Sequence, residues 1–262
     1  MRIGIITGSG TYALPGLETA TTDEIQTPFG TVEVTAGRFA GADVLHVSRH
    51  GAGHARLSNH VTHQANIVAL RDAGADAILA ATVCGALEAD LALGSLIVFD
   101  DLHFLANRLA DGAICTLYTE PGGEGRGHWI YDRPFSEPLR EALLAGARAA
   151  AVGVRDGGCY GHVDGPRFNT RAEIRMLAQC GVTAVSQTAG PETVLAGEAG
   201  IPYALVGYAT DHANGVSEVL APVGQLRDLL TASTGVLAAV LASAIPHVLA
   251  ADLAPVGTHY RF

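Results

Sequence analysis

Lysine is absent from this chain of 262 residues, and all sixteen basic residues are arginine. Its absence excludes a Schiff-base lysine and the lysine of a phosphate-binding P-loop. The 26 acidic residues give a formal net charge of −10. Because binding to nucleic-acid phosphates needs clustered cations and the chain has no basic run, the sequence indicates that nucleic acid is not a partner.

Cysteine is scarce, and none of the four residues forms a CxxC pair: Cys84, Cys115, Cys159 and Cys180. Reduced thiols of a cytosolic protein are the expected state.

Residues 1–8 are too short for the core of a signal peptide. The longest apolar stretch, 236–251, is interrupted by Ser243 and Pro246 and is shorter than a membrane-spanning helix requires. We therefore expect a cytoplasmic protein with a buried terminal helix and no membrane segment.

Strand-like and helix-like segments alternate along the chain. Strands are predicted at 2–7, 32–36, 43–48, 76–81, 94–99, 183–186 and 203–209. Helices are predicted at 60–73, 137–152, 170–179 and 191–199 and at the end of the chain, with a long loop at 109–131. This alternation predicts one domain over residues 1–262, a three-layer α/β/α fold with a mixed central sheet.

Three motifs with anion-binding chemistry follow predicted strands. Gly8-Ser9-Gly10 allows a bound anion to approach the backbone, but a plain structural turn has the same pattern. In 48–54 the forked donors of Arg49 suit phosphate, and His50 adds a further donor. Thr82 ends a buried strand, where ligands of α/β sheets bind. The nearby Cys84 has no acid–base partner beside it and is interpreted as a small core residue.

Three later motifs carry groups suited to a flat ligand and to an anion. In 164–170 a Gly-Pro turn precedes Phe168, which can stack on a ligand or fill the core. Thr188 stands near the start of a helix, whose free amides favour an anion. Asp211 follows a buried strand, where an acidic residue without a partner is costly, so it is a functional candidate.

Taken in this order, the motifs resemble those of the methylthioadenosine and purine nucleoside phosphorylase family of trimeric enzymes. The resemblance runs from Gly4 to about Asn214. Its most specific parts are Thr27-Pro28-Phe29-Gly30, Arg49 to His54, Gln64 to Leu70, Gly165-Pro166-Arg167-Phe168 and Pro191-Glu192. It implies phosphorolysis of a purine nucleoside with inorganic phosphate as co-substrate, without a metal or another cofactor, in a homotrimer or hexamer.

The resemblance also implies roles for individual residues. The positions that match the family's phosphate contacts are Ser9, Arg49, His50, Thr82, Val83 and Thr188. Phe168 matches the aromatic that stacks on the purine, and Asn169 and Asp211 match the positions that read the base edge. Gln187 stands where a methionine usually lies against the sugar, and His54 matches a histidine near the sugar end. Asp211 is the candidate general acid that protonates the leaving purine at N7, if burial raises its pKa.

Departures from the family pattern leave the substrate open. Asp211 accepts from an exocyclic amine and favours adenine nucleosides such as methylthioadenosine, but a second aspartate of that group is replaced by Ala213. The pair Asn169 and Asp211 matches neither the aminopurine nor the oxopurine set. Ser58 lies in a segment that lacks the usual proline. The alternatives are a 6-oxopurine phosphorylase acting on inosine, guanosine or methylthioinosine, and a non-catalytic nucleoside-binding protein.

Overall fold

The computed structural model describes residues 1–218 and 222–262. Its strands are β1 (Arg2–Thr7), β2 (Glu18–Thr27), β3 (Gly30–Phe39), β4 (Ala42–Ser48), β5 (Ala77–Ala86), β6 (Leu96–Val98), β7 (Asp101–His103), β8 (Gly127–Ile130), β9 (Val154–Asp156), β10 (Cys159–His162), β11 (Val182–Ser186), β12 (Tyr203–His212) and β13 (Thr258–Arg261). Its helices are α1 (His63–Asp72), α2 (Glu137–Ala149), α3 (Arg171–Gln179), α4 (Ala189–Glu198) and α5 (Val223–Ala250).

A mixed sheet forms the centre of the fold. Within the described residues its main path is β2-β3-β4-β1-β5-β11-β10-β7. A branch leaves this path at β5, where β12 pairs with β5, β6 pairs with β12, and β9 pairs with β6. The strands β4, β1, β5 and β12 lie side by side in that order and are parallel, whereas β11 runs antiparallel to the end of β5. Most of β5 is buried, because it has neighbours along both edges and helices on both faces.

The hydrophobic core has two parts, one on each face of the sheet. Side chains alternate between them along β1, where Ile6 joins one part and Ile3 and Ile5 join the other. Helices α1 and α4 pack together in the first part, and α2 and α5 pack together in the second. This arrangement confirms the predicted α/β/α layers and mixed sheet.

Some element boundaries differ from those predicted. Strand β2 was not predicted because most of its side chains are polar and exposed, and its backbone pairing with β3 holds it in the sheet. Residues Ser58–His60 form a separate 3₁₀ turn, so α1 begins at His63. Thr170 caps α3 in the expected capping box with Glu173.

The terminal helix corrects the expected length of the last apolar segment. It covers 28 residues from Val223 to Ala250, because the helix starts well before the apolar stretch 236–251 and continues through Pro246. By length and composition alone the helix is long and apolar enough to cross a membrane, with a mean hydropathy of 1.8 over an 18-residue window, a test that the core helix of a soluble protein also passes. One side of the helix, which includes Leu237 and Leu241, is buried against the second part of the core. The helix was expected to be buried, and it is buried on one face only.

Candidate active site

A cavity of about 290 Å³ opens where the parallel strands end. The turn after β1 supplies Ser9, the turn after β4 supplies His50, and β5 supplies Thr82. Carboxyl ends of parallel strands meet at one edge of a sheet, which brings residues distant in sequence into one site. The cavity includes ten of the eleven residues predicted from sequence: Ser9, His50, His54, Thr82, Val83, Phe168, Asn169, Gln187, Thr188 and Asp211.

Arg49 is the predicted site residue that does not line the cavity. Its side chain is fully buried and forms a two-pronged ion pair with Glu192, with Nε–Oε1 at 2.6 Å and Nη2–Oε2 at 2.8 Å. Nη1 donates to the carbonyl oxygen of Ala81 at 2.7 Å. The guanidinium lies against Gly8, where a Cβ would overlap Nη1. Its charge therefore lies directly under the first glycine turn, behind the cavity wall.

His50 is held neutral and in one tautomer. Its Nδ1 lies 2.9 Å from the carbonyl oxygen of Arg56, and since a carbonyl only accepts, Nδ1 carries the proton. Burial, together with the neighbouring Arg49 cation, lowers the pKa of His50 to about 4. The ring stacks on His54 at a centroid distance of 4.2 Å, and His54 Nδ1 lies 3.1 Å from the Tyr12 hydroxyl. Nε2 of His50 is therefore an unprotonated acceptor at neutral pH.

The start of α4 reaches the same cavity. Thr188 is the residue before the first helical turn, in agreement with its predicted position near a helix start, but two of the helix-start amides are not free. Its backbone N–H and that of Ala189 lie 3.4 and 3.1 Å from the Tyr160 hydroxyl. On the facing strand, Thr82 Oγ1 lies 3.3 Å from Ser186 Oγ. Hydroxyl groups from two strands and a helix start thus gather at one end of the cavity.

The acidic side chain of the cavity, Asp211, comes from the end of β12. Burial raises the pKa of Asp211, opposed by the hydrogen bond that Thr210 Oγ1 donates to Oδ1 at 2.8 Å. Asn214 Nδ2 donates to the backbone carbonyl of Asn169 at 2.7 Å and so fixes the loop that carries Asn169. Phe168 is 63% exposed, which rules out the core-filling role and leaves its ring at the cavity.

Cys84 lines the cavity but is not a nucleophile. Its side chain is buried at the end of β5, and burial followed by the nearby Asp211 charge raises the pKa of its thiol far above the ordinary value. The thiolate is therefore negligible at neutral pH. This agrees with the interpretation of Cys84 as a small core residue.

Several residues at the site were not predicted. Glu192 is completely buried as the partner of the Arg49 charge, and the sequence signal for it was the Pro191-Glu192 part of the resemblance. Ser58 and Asn214 make hydrogen bonds to predicted residues, and Leu226 and Leu230 add an apolar wall from α5. Sequence periodicity gives no indication of these contacts, because each joins segments far apart in the chain. Within 1–218 and 222–262, no group of three or more His, Cys, Asp or Glu side chains is arranged to hold a metal ion.

Comparison with known proteins agrees with this geometry. The chain is 33% identical, over 94% of its length and 92% of the relative, to the "Probable 6-oxopurine nucleoside phosphorylase" of Thermococcus kodakarensis. It is 34% identical to the S-methyl-5'-thioadenosine phosphorylase of Danio rerio, over 81% of this chain and 76% of that protein. The structure of a Schistosoma mansoni methylthioadenosine phosphorylase with adenine superposes with a TM-score of 0.87, at 27% identity over 96% and 93% of the two chains. The sequence profile of the Phosphorylase superfamily matches residues 2–245, and the chain belongs to that superfamily.

Proposed function

We propose that this enzyme cleaves the N-glycosidic bond of an adenine nucleoside, in the first place S-methyl-5′-thioadenosine, with inorganic phosphate. The products are the free base and a sugar 1-phosphate, and phosphate is the co-substrate, with no other cofactor. The observation that carries the proposal is one cavity that joins hydroxyl and helix-start groups to a partly buried carboxyl group of raised pKa. A hydrolase would need a base that activates water, and the anion-binding end would then have no purpose.

The proposed phosphate end consists of Ser9, His50, Thr82, the backbone of Val83 and Thr188. Hydroxyl groups donate to phosphate oxygens, and the start of α4 adds the positive end of a helix dipole. Because His50 Nε2 is an acceptor, it pairs best with a protonated phosphate oxygen. We assign Arg49 to the same end, where its charge acts from under Gly8 and its two uncommitted N–H groups remain as donors.

The proposed reaction needs one nucleophile and one acid. A phosphate oxygen forms a bond to C1′ as the C1′–N9 bond breaks, and the bonding electrons pass to the purine. The developing positive charge on the sugar is stabilised by the adjacent phosphate anion. A proton from Asp211 is delivered to N7 of the leaving purine. Burial of Asp211 supports this role because it raises the pKa toward the range in which a carboxyl group holds a proton.

The preference for adenine rests on the groups at the base end. One oxygen of Asp211 carries the proton for N7. The other accepts from the 6-amino group but has no proton to donate to a 6-carbonyl oxygen, while Phe168 stacks on the ring. The apolar Leu226 and Leu230 suit a methylthio substituent better than a hydroxyl. A 6-oxopurine nucleoside is the second candidate, favoured by the Asn169 amide, which donates to a carbonyl, and by the relative from Thermococcus kodakarensis.

We further propose that residues 1–262 act as one catalytic domain in the cytoplasm, as part of a homotrimer or hexamer. Large apolar side chains exposed on the single chain support assembly, because burial between subunits would remove them from water. They include Leu105, Ile130 and Phe262. We assign His54 to the sugar end of the substrate, where Tyr12 fixes its ring.

The deciding experiment measures base release from methylthioadenosine, adenosine, inosine and guanosine, each with and without phosphate. The proposal expects release that depends on phosphate and is fastest with the first two. Faster release from inosine or guanosine selects the second candidate. Release without phosphate identifies a hydrolase, and binding without release identifies a nucleoside-binding protein.

A further inference from the structure

Gln187 and Ser58 form a hydrogen-bonded pair in the wall of the cavity. Ser58 Oγ donates to Gln187 Oε1 at 2.8 Å, and Gln187 Nε2 donates to the backbone carbonyl of Arg167 at 3.1 Å. Both side chains line the cavity. We propose that this pair recognises the 2′ and 3′ hydroxyl groups of the sugar and makes the enzyme selective for ribonucleosides over 2′-deoxyribonucleosides. The inference rests on the proposed phosphorolysis and specifies its substrate further.

The position of the pair in the chain indicates that it faces the sugar. Gln187 lies between Ser186, which contacts Thr82, and Thr188, and these residues belong to the phosphate end. Its carboxamide is tied to Arg167, the residue before the aromatic at the base end. Since phosphate attacks C1′, the sugar lies between phosphate and base, which is the interval that Gln187 spans.

The free hydrogen-bonding groups of the pair match a cis-diol. Gln187 Nε2 has two N–H groups and uses one, and its Oε1 has a second lone pair. Ser58 Oγ uses its O–H to donate to Gln187 Oε1 and keeps its lone pairs as acceptors. One remaining donor and adjacent acceptors complement two neighbouring hydroxyl groups, each of which donates and accepts. A methionine or leucine at position 187 would offer the sugar neither a hydrogen-bond donor nor a comparable acceptor.

The geometry of the pair is fixed from behind. Ser58 belongs to the 3₁₀ turn Ser58–His60, and Gln187 is held between this turn and the 165–167 turn. Both polar side-chain atoms lie against Gly165, where a Cβ would overlap them. The carboxamide therefore has little freedom to turn away, which is what a group that selects by hydrogen bonding requires.

The test compares Gln187→Met, Ser58→Ala and the double variant with the wild type. Methionine keeps the length of glutamine and removes its polar atoms. The measurement is the ratio of kcat/KM for adenosine over 2′-deoxyadenosine and for inosine over 2′-deoxyinosine. Gln26→Met, on the exposed strand β2, is the matched control for a new surface methionine.

We expect Gln187→Met to lower the ribose-to-deoxyribose ratio about tenfold, the effect of losing a neutral hydrogen bond of about 1.4 kcal/mol. Ser58→Ala should lower it by less, the double variant should add little to Gln187→Met, and Gln26→Met should leave it unchanged. The KM for phosphate should stay within about twofold of the wild type in all variants, because the pair does not belong to the phosphate end.

Two outcomes overturn the inference. The first is a ratio in Gln187→Met equal to that of the wild type, with activity on both sugars reduced alike, which would make the pair a structural tie between loops. The second is wild-type enzyme that cleaves both sugars equally well. Lack of phosphate-dependent release from all four nucleosides refutes the proposed function instead, and it is recognised in the wild type before any variant is compared. The inosine pair keeps the test valid if the purine preference proves to be 6-oxo.

Discussion

The buried ion pair of Arg49 and Glu192 allows its contributions to stability and to phosphate binding to be separated. Both side chains are completely removed from solvent. Removing one partner strands the other as an unpaired buried charge, at a cost of about 3–5 kcal/mol. We therefore expect Arg49→Met and Glu192→Leu each to lose that much free energy of unfolding, a large part of the roughly 5–15 kcal/mol of a typical domain.

The double variant Arg49→Met/Glu192→Leu should recover much of this loss. Replacing a buried pair by apolar side chains is often neutral, because no charge remains to be desolvated. Full recovery is not expected, since the Arg49 bond to the Ala81 carbonyl and the 3.2 Å bond from the Tyr203 hydroxyl to Glu192 are also lost. Because the double variant should lose less than either single variant, the coupling free energy between the two substitutions should exceed about 3 kcal/mol.

Phosphate binding should not recover with stability. Three of the five N–H groups of Arg49 are committed to Glu192 and Ala81, so at most two remain for phosphate. We expect the low end of a charge-assisted contribution, about 1.5 kcal/mol, and hence a rise of about tenfold in the KM for phosphate. The KM for the nucleoside should change little.

The assays are urea unfolding followed by circular dichroism, and steady-state phosphorolysis with phosphate varied at saturating nucleoside. Single variants that lose less than 1 kcal/mol would refute the argument from burial. A double variant that regains stability and also keeps the wild-type KM for phosphate would show that Arg49 is purely structural. Either result is decisive because the two readouts come from the same folded protein.

Three further predictions follow from the geometry. Asp211→Asn should shift the ratio of kcat/KM for methylthioadenosine over inosine toward inosine and slow the aminopurine reaction, because an amide donates to a carbonyl but delivers no proton; an unchanged ratio would mean that Asp211 does not read the base. Acidification below pH 6.5 should lower the free energy of unfolding by up to about 1.4 kcal/mol per pH unit for each buried neutral histidine, until the folded pKa of about 3 to 4 is reached. The reason is that these histidines bind protons in the unfolded chain in this pH range and do not bind them in the folded chain. Unfolding measured from pH 8 to pH 5 tests this on His46, His50 and His63. Sedimentation at micromolar concentration should give a trimer or hexamer, and a monomer would contradict the proposed assembly.

The buried strands, and the order of the candidate site residues along the chain, could be predicted from the sequence. Continuous apolar runs such as that of β5 predict central strands because both faces of such a strand lie under helices. Turn residues placed Ser9 after a strand and Thr188 at a helix start, and the resemblance assigned them roles. Thr82 and Asp211 were predicted at or just beyond strand ends, but they lie inside β5 and β12, which continue to Ala86 and His212. These are local properties, set by side-chain patterns within a few residues.

Strand β2 and the end of the chain show where local patterns fail. β2 carries the polar sequence ETATTDEIQT, and its extended form depends on the hydrogen bonds of β3. The apolar stretch of α5 was visible, but its start at Val223 was not, because propensity alone does not fix where a helix begins.

Sequence alone determined which residues gather at the carboxyl ends of the strands, since parallel strands place their ends at one edge. Only the tertiary structure decided what each side chain does there. It placed the Arg49 guanidinium behind the wall, paired with Glu192 from a segment 143 residues away. It also joined Ser58 to Gln187, 129 residues apart, and fixed the tautomer of His50 through the Arg56 carbonyl. Hydrogen bonds and ion pairs act over about 3 Å in space, and separation along the chain carries no information about that distance.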